Sequence, residues 1–100
     1  AHLYSEASNK ATSVKEILPT YTTNSEEVDG RVVIRDNFDT IFENHPNTLI
    51  FGEDSGKIGD VNQGLEGLQE KFGELRISDT GIREATIIGQ GIGMSLRGLR

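Results

Sequence analysis

One hundred residues with 34% apolar side chains and 12 glycines make a chain of one domain's size and ordinary globular composition. Ten Lys/Arg against 16 Asp/Glu leave a formal charge of −6, which argues against non-specific binding to nucleic acid or anionic membranes, since both need a dense basic surface. The absence of Cys excludes disulfide frameworks, thiolate metal sites and cysteine nucleophiles, and no apolar run approaches the about 18 residues of a membrane helix.

Residues 1–29 carry eight Ser/Thr, and their apolar side chains follow no sustained period. Val14, Ile17 and Leu18 fit one helical turn, which Pro19 would stop. So little apolar surface does not offset the entropy of ordering, and the segment reads as a linker or mobile arm. An arm pinned across the domain by Val14, Ile17, Leu18 and Tyr21 is the alternative. From Arg31 the pattern tightens. Ile34, Phe38, Ile41 and Phe42 form one apolar stripe of a helix ending near Pro46. Thr48-Leu49-Ile50-Phe51 has no polar alternation, as expected of a strand buried on both faces. Residues 52–64 read as a loop. Leu65, Leu68 and Phe72 mark a second short helix, ended by Gly73 in a left-handed conformation. Leu75-Arg76-Ile77-Ser78 predicts a second strand. Asp79 or Thr80 is then expected to cap a helix from about Ile82 towards Leu96, with Gly98 just beyond it. Helices alternating with short strands imply an α/β fold with parallel pairing. Two strands leave that sheet incomplete, and the start at Ala1 suggests an excised fragment.

Familiar site motifs fail on inspection. Gly52-Glu53-Asp54-Ser55-Gly56-Lys57-Ile58 has three residues between its glycines where a phosphate-binding loop has four, and Ile58 replaces the Ser/Thr. Gly89-Gln90-Gly91-Ile92-Gly93 lies inside a predicted helix, and Met94 stands where a dinucleotide fingerprint needs its third Gly. Residues 60–64 alternate oxygen ligands, but Leu65 and Lys71 occupy the Gly and Glu positions of a calcium loop. His2 and His45 are isolated. Two features remain. Ala85, Gly89 and Gly93 recur every four residues and give their helix a nearly bare face, suited to close helix packing within the monomer or at a subunit interface. Glu84 lies at the start of a helix that follows a strand, where α/β proteins place ligands, although a first-turn Glu also simply suits the helix dipole.

Residues 49–100 resemble the start of the pyrimidine-binding domain of thiamine-diphosphate-dependent 2-oxo-acid dehydrogenases, in the beta-type half of the decarboxylating component. The resemblance rests on Ile50-Phe51-Gly52-Glu53-Asp54, Gly64-Leu65, Lys71-Phe72-Gly73 and Arg76-Ile77-Ser78-Asp79-Thr80. It continues through Ile82-Arg83-Glu84, Ile87-Ile88-Gly89, Gly91-Ile92-Gly93 and Arg97-Gly98-Leu99-Arg100. Within that family it is similar to the fused bacterial branched-chain (2-oxoisovalerate) type. Such a fusion would make residues 1–29 the junction between halves and residues 30–100 the N-terminal part of a pyrimidine-binding domain. Gly81 departs from the family's Pro at that position, leaving the start of the Glu84 helix looser.

The resemblance implies that Glu84 hydrogen-bonds a ring nitrogen of the thiamine diphosphate aminopyrimidine. A carboxyl sharing a proton there favours the imino form of the amino group, the base that activates the thiazolium carbon. Ile82 would supply apolar contact near the pyrimidine, and Glu53 would stand behind it or line a water path. The family holds magnesium and diphosphate with a GDG…NN-type segment of the alpha half. Gly59-Asp60-Val61 lacks its second Gly. The implied partners are therefore the alpha-type half, a second beta-type half and the acyltransferase core of the complex, with neither nucleic acid nor membrane. With no signal-like N-terminal segment, a cytoplasmic location is expected. The alternative function is a non-catalytic α/β interaction module that dimerises through Ala85, Gly89 and Gly93. On the first reading, the isolated fragment would be inactive.

Overall fold

The computed structural model describes residues 11–100. After one 3-10 turn at Ala11–Ser13, the chain forms no helix or strand before Gly30. Val14, Ile17, Leu18 and Tyr21 are 72–91% exposed, so they do not pin an arm across the domain. The first ten residues of the expected arm, with His2, lie outside the described residues.

Helix α1 (Gly30–Asn44) begins at Asp29, whose carboxylate accepts a hydrogen bond from the Arg31 N–H at 3.2 Å. Of its predicted stripe, Phe42 is 1% exposed and Phe38 packs beside it, but Ile34 and Ile41 remain largely exposed. The facing helix, α2 (Leu68–Phe72), has five residues and is too short to cover the rest. Leu65 is buried, yet it precedes α2, because Gly67 at φ 78° interrupts the helical path. Gly73 ends α2 at φ 91°, ψ 157°, a mirror-extended conformation open essentially only to glycine, rather than the expected left-handed helical one.

Strands β1 (Ile50–Glu53) and β2 (Ile77–Thr80) form a two-stranded parallel sheet, with Ile50 opposite Ile77 and Glu53 opposite Thr80. Both lie two residues later than the apolar runs suggested, and Gly52-Glu53 belong to β1 rather than to a loop. The offset follows from where the backbone finds partners: the Leu49 N–H donates to the Arg100 carbonyl at 2.7 Å, and the ladder starts where the Ile50 N–H meets the Arg76 carbonyl at 2.8 Å. β1 is half-buried rather than buried on both faces, since it has one neighbouring strand and a thin cover.

Side chains alternate across the sheet. Ile50 and the fully buried Ile77 face Phe42, Leu65 and Leu68, with Phe38 and Phe72 packed around them. Phe51 points to the opposite face, against α3 (Glu84–Leu96), where a Cβ on Gly91 would lie 3.8 Å from its ring. α3 faces the sheet at Gly91 and Met94, beside Leu49 and Phe51, with Ile87 half-buried and Ile88, Ile92 and Leu96 exposed. Helices thus cover both faces of a partial parallel sheet, the expected α/β architecture.

The start of α3 differs from expectation. Arg83 occupies the N-cap position and makes no side-chain cap, whereas Asp79 and Thr80 are the last residues of β2. The Thr80 hydroxyl donates to the Gly81 carbonyl at 3.0 Å, and the Asp79 carboxylate is committed elsewhere.

Candidate functional site

Two parallel strands ending side by side create a rim at their carboxyl ends, the position where open α/β sheets bind ligands. β1 delivers Glu53 to that rim and continues into the turn at residues 54–57. β2 ends at Thr80, and the connector 81–83 leads to Glu84, the first residue of α3. Alternation places Glu53 on the α3 side of the sheet and Asp79 on the α2 side. Glu84 and Glu53 are exposed, and neither side chain has a hydrogen-bond or ion-pair partner among the described residues. Ile82, two residues before Glu84, is 76% exposed and offers bare apolar surface.

The rim is held by Asp79. Its two carboxylate oxygens accept hydrogen bonds from the N–H groups of Gly56 at 2.7 Å and Lys57 at 3.0 Å. Gly56 is buried, so its amide needs a partner inside the protein. There is no room for a larger residue: a Cβ on Gly56 would collide with Gln69 Nε2 and lie 2.7 Å from Asp79 Oδ2. Gln69, from α2, in turn donates to the Ile77 carbonyl at 3.0 Å. Sequence reasoning assigns Asp79 to a helix cap and misses this role. The residue type is informative, because an Asp seeks backbone amides, but only the fold specifies which amides it finds.

At the opposite end of the sheet, Arg76 ties α1 to both strands. It donates to the carbonyls of Phe42 at 2.9 Å, His45 at 2.8 Å and Thr48 at 3.3 Å, and its guanidinium lies 4.5 Å from the Phe42 ring centre. Two of these acceptors are carbonyls at the C-terminus of α1, which have no partner within the helix. Lys71 joins α2 to α1 through Asp39 at 2.6 Å and Glu43 at 2.7 Å. These hydrogen bonds, the one to Asp39 foremost, raise its pKa above the ordinary value.

A Cβ added to Gly89 or Gly93 would meet no atom within 4 Å, so their side of α3 is uncovered among the described residues. Close packing among the described residues therefore does not account for their lack of side chains. On the sheet side of α3, a cavity of about 230 Å³ is lined chiefly by Leu49, Phe51, Gly91, Met94 and Leu99. Its lining includes neither Glu53, Ile82 nor Glu84, which stand on open surface.

Comparison with known proteins identifies the domain. Residues 26–100 match the family model of the transketolase pyrimidine-binding domain. The chain belongs to that family. It is 40% identical over 67 residues to the pyruvate dehydrogenase E1 component subunit beta of Acholeplasma laidlawii, covering 67% of this chain and 20% of that protein. Identity to the Bacillus subtilis protein of the same name is 45% over 67 residues, covering 67% of this chain and 21% of the relative. The 2-oxoisovalerate dehydrogenase subunit beta of Pseudomonas aeruginosa is 40% identical over 67 residues, with 67% of this chain and 19% of the relative covered. The chain thus spans about a fifth of the length of the curated relatives it matches.

Thiamine diphosphate is the cofactor this family implies, and the residues at the rim suit one end of it. A carboxylate with no partner of its own among the described residues, beside exposed apolar Ile82, offers what an aminopyrimidine ring requires: a hydrogen-bonding acid and a flat apolar contact. The diphosphate end does not fit. The rim carries Lys57 and Arg83 as well as Glu53 and Glu84, and no three His, Asp or Glu side chains among the described residues group closely enough to hold the metal that a diphosphate brings with it. No helix in the described residues is long and apolar enough to cross a membrane.

Proposed function

We propose that this chain is the start of the pyrimidine-binding domain of a beta-type half in the decarboxylating component of a 2-oxo-acid dehydrogenase, of the branched-chain type. The observation that carries the reading is Glu84: an exposed carboxyl, unpartnered among the described residues, at the carboxyl end of a parallel sheet in a chain of this family. When bound, thiamine diphosphate supplies the electron sink for decarboxylation of a 2-oxo acid. Glu84 would hold the pyrimidine through a proton shared between its carboxyl and a ring nitrogen, and Ile82 would give the ring apolar contact. Glu53 stands behind them at the end of β1.

The partners follow from what the rim lacks. An alpha-type half supplies magnesium and the diphosphate ligands, residues 1–29 form the junction to it, and an acyltransferase core receives the product. A second beta-type half covers the bare Ala85, Gly89 and Gly93 face. A cytoplasmic enzyme without nucleic-acid or membrane contacts agrees with the acidic composition. Glu84→Gln in the intact enzyme tests the reading. Gln preserves size and hydrogen bonding but cannot share the proton, so turnover should fall about a hundredfold or more. Wild-type turnover in that variant would refute the assignment.

A further inference from the structure

We propose that Asp79 is a positioning residue that sets the placement of Glu84 by latching the end of β2 to the turn that follows β1. This inference rests on the reading of Glu84 as the residue that meets the cofactor's pyrimidine ring. Asp79 is the next-to-last residue of β2, paired in register with Gly52, and its carboxylate grips the amides of Gly56 and Lys57. The turn is rigid on its own side: the Asp60 N–H reaches the Asp54 carbonyl at 2.7 Å, and Gly56 is wedged between Asp79 and Gln69.

Beyond Thr80, the last residue of β2 and paired with Glu53, little restrains the chain until α3 meets Phe51 at Gly91. Space around Gly81 is open, Ile82 is exposed, and Arg83 provides no side-chain cap. A connector so sparsely held takes its direction from its last fixed point. Near that point, the latch is the side-chain tie that joins β2 to the turn beyond β1. Loss of the latch would also leave the buried Gly56 amide without its partner, so the turn would shift as well. Both Glu84 and the turn next to Glu53 would then lose their fixed spacing. A displacement of about 1 Å at a reacting group lowers rates by about a hundredfold.

The test uses the intact enzyme of which this chain forms part. Asp79→Asn retains one carbonyl oxygen but turns an NH2 group towards the second amide, and Asp79→Ala removes both acceptors. Amide hydrogen exchange at Gly56 and Lys57 should accelerate by about tenfold in the Asn variant and further in Ala, since each loses a charge-assisted hydrogen bond. Turnover should fall in the same order, by about tenfold and about a hundredfold, while KM for the 2-oxo acid stays within about twofold. Lys71→Ala removes the ion pairs to Asp39 and Glu43 and the ammonium over the Phe72 ring, away from the rim, and should lower thermal stability with turnover unchanged. If the Ala variant does not fold, Gly56→Ala, which drives a methyl group against Asp79 Oδ2, should reproduce the Asn phenotype. Faster exchange in Asp79→Asn with wild-type turnover, while Glu84→Gln is inactive, would overturn the positioning role and leave the reading of Glu84 intact. Wild-type turnover in Glu84→Gln would instead overturn the reading on which the proposal rests.

Discussion

Arg76 is the side chain on which the junction of α1, β1 and β2 depends, and its replacement has a calculable cost. In Arg76→Met the carbonyls of Phe42 and His45 lose short, charge-assisted hydrogen bonds of 2.9 and 2.8 Å, each worth about 1.5 kcal/mol. The longer contacts to Thr48, at 3.3 Å, contribute little. The guanidinium also leaves the Phe42 face, 4.5 Å away, a loss of about 0.5–1 kcal/mol. Water can replace part of the bond to the exposed His45, and the flexible Met stem retains some packing. A net local cost of about 3 kcal/mol follows, or about a hundredfold in the opening equilibrium. Arg76→Lys keeps the charge but cannot span several carbonyls at once, so it should recover less than half of that stability. The assay is native-state hydrogen exchange at the amides of His45, Thr48 and Ile50, whose acceptors are Ile41, His45 and Arg76. Protection in Arg76→Lys equal to wild type would show that a point charge suffices and that the planar fork carries no weight. Unchanged protection in Arg76→Met would refute the junction itself.

Three further outcomes are expected. The space beside Gly89 is open among the described residues, and if a second beta-type half fills it as proposed, Gly89→Leu should disrupt assembly of the intact enzyme; light scattering showing unchanged assembly at wild-type stability would end that idea. The isolated 100-residue chain should show no saturable micromolar binding of thiamine diphosphate with magnesium by isothermal titration, because no group of His, Asp or Glu side chains among its described residues can hold the metal. A raised pKa for Lys71 means that its contribution to stability is complete below lysine's ordinary value of 10.5 and is lost as pH rises through the higher folded value. Thermal melts should therefore show an alkaline loss above pH 10.5 that is smaller in Lys71→Met, and identical alkaline profiles would contradict it.

Local order is legible in the sequence because it is written in local chemistry. The 30–44 stripe, the glycines at 73 and 98 and the apolar runs near 50 and 77 specify helix, strand and stop through periodicity and backbone freedom, which act over a few residues. The same stretch carries the motifs that mark the family and single out Glu84. Strand register is not legible, since apolar runs mark which segments pair but not where the ladder starts. That start depends on backbone partners distant along the chain, the Leu49 N–H going to the Arg100 carbonyl and the Ile50 N–H to that of Arg76, which come together only in the folded chain. Asp79 behaves in the same way at the rim. Its sequence neighbours suggest a helix cap, yet its hydrogen bonds go to Gly56 and Lys57, 23 and 22 residues away. The sequence by itself determined the α/β order and the chemistry available at the strand ends. Tertiary structure alone decided whether the small-residue face of α3 finds a neighbour among the described residues and which backbone amides a carboxylate holds, because both are set by contacts between segments that are distant along the chain.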